Sequence, residues 1–159
     1  MTTQMRLSRA TTNTLQAPNG SYGALFASGA WTVANYDGGF VFGDYTQGTG
    51  IRVPEDGLYL IDWSVILDNA ASGILGVTID KSTSVNGLDL VALGGVVQVG
   101  ASIGEGSATI PLFTDQVLRL YGYGNGSTLN IQDQSVSGSP YNNRACRFNV
   151  TRIGDIPAH

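Results

Sequence analysis

The chain has 159 residues, with one cysteine, one histidine and a formal net charge of −4. This length suits one domain, which can bury roughly 70% of its unfolded surface. Its basic residues, one lysine and seven arginines, are scattered, and without a basic run to track phosphates we expect no nucleic-acid binding.

Charged residues make up 13% of the chain, about half their usual share in a soluble domain. A small monomer normally carries more charge on its surface. We interpret the shortage as surface that other subunits cover, because interface cores are depleted of charge.

Residues 1–20 are polar and rich in Thr, Asn and Gln. Met5, Leu7 and Leu15 could form a thin apolar strand face, so we predict an N-terminal arm that binds a partner or a sheet edge. The segment lacks the apolar core of a signal peptide, and no apolar run reaches the roughly 18 residues of a membrane span. We therefore expect synthesis in a cytoplasm without export, and no membrane partner.

From Ser21 to the end, residues 21–159, β-rich segments alternate with turn clusters at spacings of about 8–12 residues, which predicts one sandwich or barrel domain. No window has helical periodicity. The segments are Tyr22–Phe26, Trp31–Tyr36, Phe40–Phe42, Leu58–Leu67, Ile74–Asp80, Leu88–Val99, Ser107–Phe113, Asp115–Tyr123, Leu129–Gln132 and Ala145–Ile153. Gly124-Asn125-Gly126 has the composition of a hairpin tip.

The segment Leu58–Leu67 is the most informative. Tyr59, Ile61, Trp63, Val65 and Leu67 share one face, since strand side chains alternate. The other face is apolar at its start, with Leu58 and Leu60, and polar further on, with Asp62 and Ser64. This pattern predicts a central strand that also contacts a second sheet or a second subunit.

The residue types needed for catalysis are poorly placed. His159 is the last residue, and a nucleophile–histidine pair needs a rigidly held imidazole. Cys146 cannot form an internal disulfide, and we expect a small buried hydrophobe there. Asp37, Asp44 and Asp56 lie in turns, where calcium could find oxygen ligands, but no calcium-loop motif is present. We predict no enzyme activity, no cofactor and no metal.

The chain resembles the globular head of complement component one, subcomponent q, and its tumour-necrosis-factor relatives. In that family an aromatic is followed by Gly-x-Tyr and alternating aromatics; here Ile51, Gly57, Tyr59, Ile61 and Trp63 take those positions. Further matches are Asp44–Gly50 to the lead-in turn, Leu112–Leu120 to the Leu-x-x-Gly-Asp-x-Val strand, with Thr114 replacing its Gly, and Arg147–Arg152 to the closing strand.

The resemblance implies a ten-stranded antiparallel jelly-roll sandwich that forms homotrimers and binds partners without catalysis. From it we expect the subunit interface to include residues of the central strand and of the Asp115–Tyr123 strand. The predicted interface residues are Tyr59, Ile61, Trp63, Val117, Arg119 and Tyr121.

Two functions are compatible with these features. The first is a bacteriophage virion structural protein, a capsid decoration (cement) protein or a minor tail protein, which contacts the major capsid or tail protein. The alternative is a tail-tip module that recognises host surface glycan through loops such as Gly122–Thr128 and Val136–Asn143. Either function predicts a location in the virion.

Overall fold

The computed structural model describes residues 4–9, 15–26, 31–67, 72–80, 88–97, 103–126, 128–132 and 146–157. These residues form strands, turns and bends, and none of them forms a helix able to span a membrane. The strands are β1 (Gln4–Arg9), β2 (Leu15–Ala17), β3 (Tyr22–Ala24), β4 (Trp31–Asp37), β5 (Val41–Tyr45), β6 (Gly48–Arg52), β7 (Gly57–Leu67), β8 (Gly73–Asp80), β9 (Leu88–Val97), β10 (Ile103–Leu112), β11 (Val117–Gly124), β12 (Leu129–Gln132) and β13 (Arg147–Gly154).

The strands form two antiparallel sheets. The seven-stranded sheet runs β2-β12-β7-β13-β1-β4, with β10 paired to β7. The six-stranded sheet runs β5-β6-β11-β8-β9, with β3 paired to β11. Ten strands have five or more residues, whereas β2, β3 and β12 have three or four. The prediction of an all-β, antiparallel jelly-roll sandwich is confirmed.

The eleven residues of β7 make it the longest strand. One edge of β7 pairs with β10, and the other edge pairs with β13 and then, at Ile66 and Leu67, with β12. Backbone pairing covers both edges of β7, and the alternating apolar residues cover its inner face by packing in the core. Both features suit a central strand.

The core lies between the sheets. Tyr59, Ile61, Trp63 and Val65 point into it from β7. Aromatic rings meet there edge to face, with centroids of Phe26 and Phe148 5.0 Å apart, which is a favoured geometry for packing. The other side chains of this core come from both sheets and include Met5, Leu7, Trp31, Phe40, Ile51, Leu75, Val77, Leu118, Leu120, Cys146 and Val150.

The described part of the predicted N-terminal arm pairs with strands of the sandwich. Strand β1 lies between β13 and β4. Met5 and Leu7 are 2% and 0% exposed, so they contribute to the core of their own chain. The backbone of Leu15 pairs with that of Ile131 in β12.

One correction concerns Gly124-Asn125-Gly126, which the sequence predicted to be a hairpin tip. These residues do not close a hairpin, because β11 belongs to the six-stranded sheet and β12 to the seven-stranded sheet. The segment instead carries the chain from one sheet to the other. Backbone and side-chain hydrogen bonds to Asn19 and Ser72 hold it in place.

Candidate functional site

The candidate site is the outer face of the seven-stranded sheet, meaning the face directed away from the six-stranded sheet. The register places outward-facing residues in cross-strand rows. These rows are Pro111–Leu58, then Thr109–Leu60–Thr151–Gln4, then Ser107–Asp62–Asn149–Arg6, and last Glu105–Ser64–Arg147.

One end of this outer face is apolar. Leu60 is 37% exposed, and Ile153, in the bulge between Arg152 and Gly154, is 52% exposed. Phe113, one residue past β10, is 51% exposed. These are three of the six large hydrophobic side chains that are exposed in the described residues. We call Leu58, Leu60, Pro111, Phe113 and Ile153 the apolar end.

The opposite, polar end has a hydrogen-bonded row across three strands. Arg6 Nε donates to Asn149 Oδ1 at 3.1 Å, and Asn149 Nδ2 donates to Asp62 Oδ1 at 2.9 Å. The amide is thus oriented by its two partners, and it holds the Asp62 carboxylate in one position. Glu105 and Arg147 are exposed in the next row, on either side of Ser64.

The structure does not bring the six predicted interface residues together. Tyr59, Ile61 and Trp63 point between the sheets and are 0–2% exposed. The Trp63 ring stacks on Phe148 at 6.2 Å, with an interplanar angle of 16°. These three side chains fill the core of the protomer. In this structure they are therefore not exposed for the subunit contact that the sequence predicted.

The other three predicted residues lie on the opposite side of the molecule. Leu118 and Leu120 of β11 belong to the core, so Val117, Arg119 and Tyr121 face outward from the six-stranded sheet. Arg119 is nevertheless fully buried and donates from Nη2 to the carbonyl oxygen of Gly48 at 3.0 Å. Val117 is 4% exposed and Tyr121 is half-buried.

The turn aspartates have structural partners. Asp44 Oδ1 accepts a hydrogen bond from Thr49 Oγ1 at 2.6 Å. Asp56 Oδ1 accepts from the backbone N and from Oγ1 of Thr114, which lowers the pKa of Asp56. The side chain of Asp37 lies outside the described residues. No group of three or more His, Cys, Asp or Glu residues able to hold a metal occurs in the described part of the chain.

The proposed glycan loops are only partly described. Residues 122–126 and 128 belong to β11 and to the crossing segment described above, whereas Val136–Asn143 lies outside the described residues. The polar end of the outer face was not predicted. Its sequence signal is the alternation Glu105-x-Ser107 and Arg147-x-Asn149, but only the register reveals that both segments flank Asp62.

No protein-family model matches the chain, and no curated protein matches it in sequence. Solved structures do match. Eiger TNF from S. frugiperda superposes with a TM-score of 0.61 at 10% identity, covering 99% of this chain and 96% of that one. Murine APRIL superposes with a TM-score of 0.62 at 13% identity, covering 96% of this chain and 100% of that one.

The fold is that of the tumour-necrosis-factor ligands. At such low identity the likeness establishes the fold of the chain and leaves its biological setting to be argued from its own residues. The TNF-like jelly roll extends over nearly the full chain, so the outer face belongs to the domain that these proteins share.

Proposed function

We propose that this chain is a non-enzymatic structural protein that forms homotrimers on the surface of a bacteriophage particle. Within the particle it acts as a capsid decoration (cement) protein or a minor tail protein, attached to the major capsid or tail protein. The low charge content and the TNF-like jelly roll support a role in adhesion. The virion setting comes from the resemblance of such a short, weakly charged, trimerising jelly roll to phage virion proteins.

The apolar end is the main observation that supports association between copies of the chain. Leu60, Phe113 and Ile153 expose 37–52% of their surface at one end of the same sheet. Exposed large hydrophobics that cluster in this way mark interaction surfaces. An obligate contact between copies buries more than about 2,000 Å², and we assign its centre to the apolar end in place of Tyr59, Ile61 and Trp63.

Sedimentation velocity of Leu60→Arg tests this assignment. The wild-type chain is expected to sediment as a trimer of the 16.7 kDa protomer. Because the substitution puts a charge into an apolar contact, it should weaken association by roughly a hundredfold, the effect of a hot spot worth about 2–3 kcal/mol.

Val41→Arg is the matched control. Val41 is 42% exposed on β5, in the other sheet, so the same added charge, with a similar change in volume, should leave the trimer intact. A wild-type protein that sediments as one protomer at all concentrations contradicts the proposal. Dissociation caused equally by both substitutions contradicts the assigned surface.

The particle setting is tested separately by imaging assembled phage with a labelled chain. Label at threefold-related positions on the capsid supports decoration, and label on the tail supports the minor tail role. Absence from purified particles removes the virion function, whatever the oligomeric state.

A second candidate is a host-receptor module that binds surface glycan. The polar end of the outer face favours it, because it combines two carboxylates, an arginine and a serine hydroxyl in one depression. Labelling of host cells that a soluble saccharide competes away would support this candidate over decoration.

A further inference from the structure

The chain contains three Asn-Gly pairs, Asn19-Gly20, Asn86-Gly87 and Asn125-Gly126. An asparagine in such a pair readily loses its side-chain amide, because glycine has no side chain to hinder attack by its own backbone nitrogen. Asn86-Gly87 lies outside the described residues. The structure brings the other two pairs together, where the connection from β2 to β3 meets the segment that follows β11.

The two pairs are joined by hydrogen bonds. Gly124 N donates to the carbonyl oxygen of Pro18 at 2.9 Å, and Gly20 N donates to the carbonyl oxygen of Gly124 at 2.8 Å. Gly126 N donates to Asn19 Oδ1 at 2.9 Å. Both glycine nitrogens that could attack the preceding asparagine are therefore already occupied as hydrogen-bond donors.

The loss of the amide from Asn125 needs the nitrogen of Gly126. This nitrogen gives up its proton and bonds to Cγ of Asn125, while the bond from Cγ to the side-chain nitrogen breaks and ammonia leaves. Water then opens the resulting succinimide ring to aspartate or isoaspartate, and no oxidant, reductant or other reactant is required. A backbone N–H held in a hydrogen bond reacts only when that bond opens, so the bond to Asn19 suppresses the reaction.

The two sites differ in how firmly the attacking nitrogen is held. Gly20 N is bonded to a backbone carbonyl beside the bridge between Asn19 and Gly124. Gly126 N is bonded to a side chain, and Asn19, Asn125 and Gly126 are all exposed. A side-chain bond at the surface opens more readily than backbone pairing, which makes Asn125 the more reactive asparagine of the two.

We propose that Asn125 is a site of spontaneous modification, whose rate is set by the hydrogen bond from Gly126 N to Asn19. Conversion places a negative charge, and in isoaspartate an extra backbone carbon, in the segment that carries the chain from one sheet to the other. Asn125 N donates to the carbonyl oxygen of Ser72, and Ser72 Oγ donates to that of Asn125, so a longer backbone disrupts these bonds as well. The proposal goes beyond the assembly function and does not depend on it.

The test incubates the full-length wild type and its variants at mildly alkaline pH and follows each asparagine by mass spectrometry of peptides. Asn19→Ala should speed conversion of Asn125 about fivefold, the factor that corresponds to one lost hydrogen bond of about 1 kcal/mol. Asn19→Asp keeps an oxygen acceptor at this position and should retain the wild-type rate. Conversion of Asn86 in the same samples is the internal reference, which neither substitution should change.

Ser72→Ala is the matched control. It removes a hydrogen bond from the same segment but leaves Gly126 N bonded to Asn19, so the rate at Asn125 should stay near that of the wild type. Equal acceleration by Ser72→Ala and Asn19→Ala would show that general loosening of the segment sets the rate, which overturns the proposal. An unchanged rate in Asn19→Ala, or no conversion of Asn125 in any variant, overturns it too.

Hydrogen exchange of the Gly126 N–H is an independent measurement, because it needs the same opening without the loss of the amide. Exchange should be faster in Asn19→Ala than in the wild type and unchanged in Asn19→Asp. Equally fast exchange in all three proteins would show that Asn19 does not hold this nitrogen in solution, which also overturns the proposal. None of these results affects the sedimentation test of the trimer.

Discussion

Tyr59 links the core to the turn that precedes β7. Its ring is fully buried and meets Phe40 edge-on at 6.0 Å, while its hydroxyl donates to the carbonyl oxygen of Glu55 at 2.7 Å. Burial raises the pKa of Tyr59, and the negative charge of Glu55 raises it further, although Arg152 acts in the opposite direction. The fold therefore holds the neutral phenol.

Replacing Tyr59 with Phe should lower the free energy of unfolding by about 1 kcal/mol at pH 7.5, the usual worth of one hydrogen bond. A pKa raised in the folded state contributes stability that is complete below the unfolded value near 10 and is lost as the pH rises towards the folded value. The difference in the free energy of unfolding between wild type and Tyr59→Phe should therefore narrow above about pH 10.

Urea unfolding at pH 7.5 and 10.5 measures this gap. Tyr22→Phe is the control, because the Tyr22 ring is 42% exposed and the substitution keeps its contact with Tyr123. Its stability should follow that of the wild type at both pH values. A gap for Tyr59→Phe that is constant with pH would show that ionisation of this phenol is not coupled to folding.

Single residues also show how far the sequence could be interpreted. Alternation along β7 correctly grouped Tyr59, Ile61 and Trp63, but both faces begin apolar, so the pattern alone could not say which one faces inward. Thr114 departs from the family's glycine, and the structure explains why it is tolerated. Its backbone N and its hydroxyl both donate to Asp56, a contact 58 residues away along the chain that no local pattern reveals.

At the scale of elements, β1 shows that residues 4–9 of the predicted arm pair with strands of their own chain. Met5 and Leu7 are the inward-facing side chains, whereas Arg6 faces out and bonds to Asn149. A strand with one solvent-exposed face contains few apolar residues. A strand of six residues is also too short for its alternation to be recognised. The pairing of β1 with β13 joins residues that are 139–147 positions apart along the chain.

Leu7→Ala should destabilise the protein by about 2–5 kcal/mol, since it leaves a cavity in the core. Arg6→Ala, on the exposed face of the same strand, should cost under about 1 kcal/mol. Urea unfolding of both variants checks the difference. If Leu7→Ala unfolds like the wild type but no longer attaches to particles, the arm interpretation is right after all.

The placement of β1 also affects experiments on partner binding. Removing residues 1–9 takes a strand from the interior of the sheet and exposes the apolar faces of its neighbours, so the truncated chain should fail to fold. Loss of particle binding after such a truncation would therefore not identify a partner-binding arm. Substitutions at the apolar end are the better probe, because these side chains do not belong to the core.

At the scale of the whole molecule, the sequence predicted the sandwich and the two-part outer face of β7, because turn spacing and alternation are local. It could not predict the rows across β10, β7, β13 and β1, because register is set between distant segments. The interface assignment stays a prediction, although Tyr59, Ile61 and Trp63 lie in the core of the protomer. Large apolar side chains are equally suitable for a core and for a subunit contact. The two roles can be distinguished only when it is known which face of each strand points between the sheets.

If copies of the chain associate through the apolar end, its melting temperature must depend on protein concentration, because association stabilises only the folded state. Two associations are shared by three protomers, so a hundredfold rise in concentration is worth about 1.8 kcal/mol per protomer. For a chain of this size we expect an increase of roughly 4–7 °C. Calorimetry should show this increase in the wild type and in Val41→Arg, but not in Leu60→Arg. A wild-type melting temperature that does not change with concentration would mean that Leu60 and Ile153 face water, and that the shortage of charge has another cause than contact between copies.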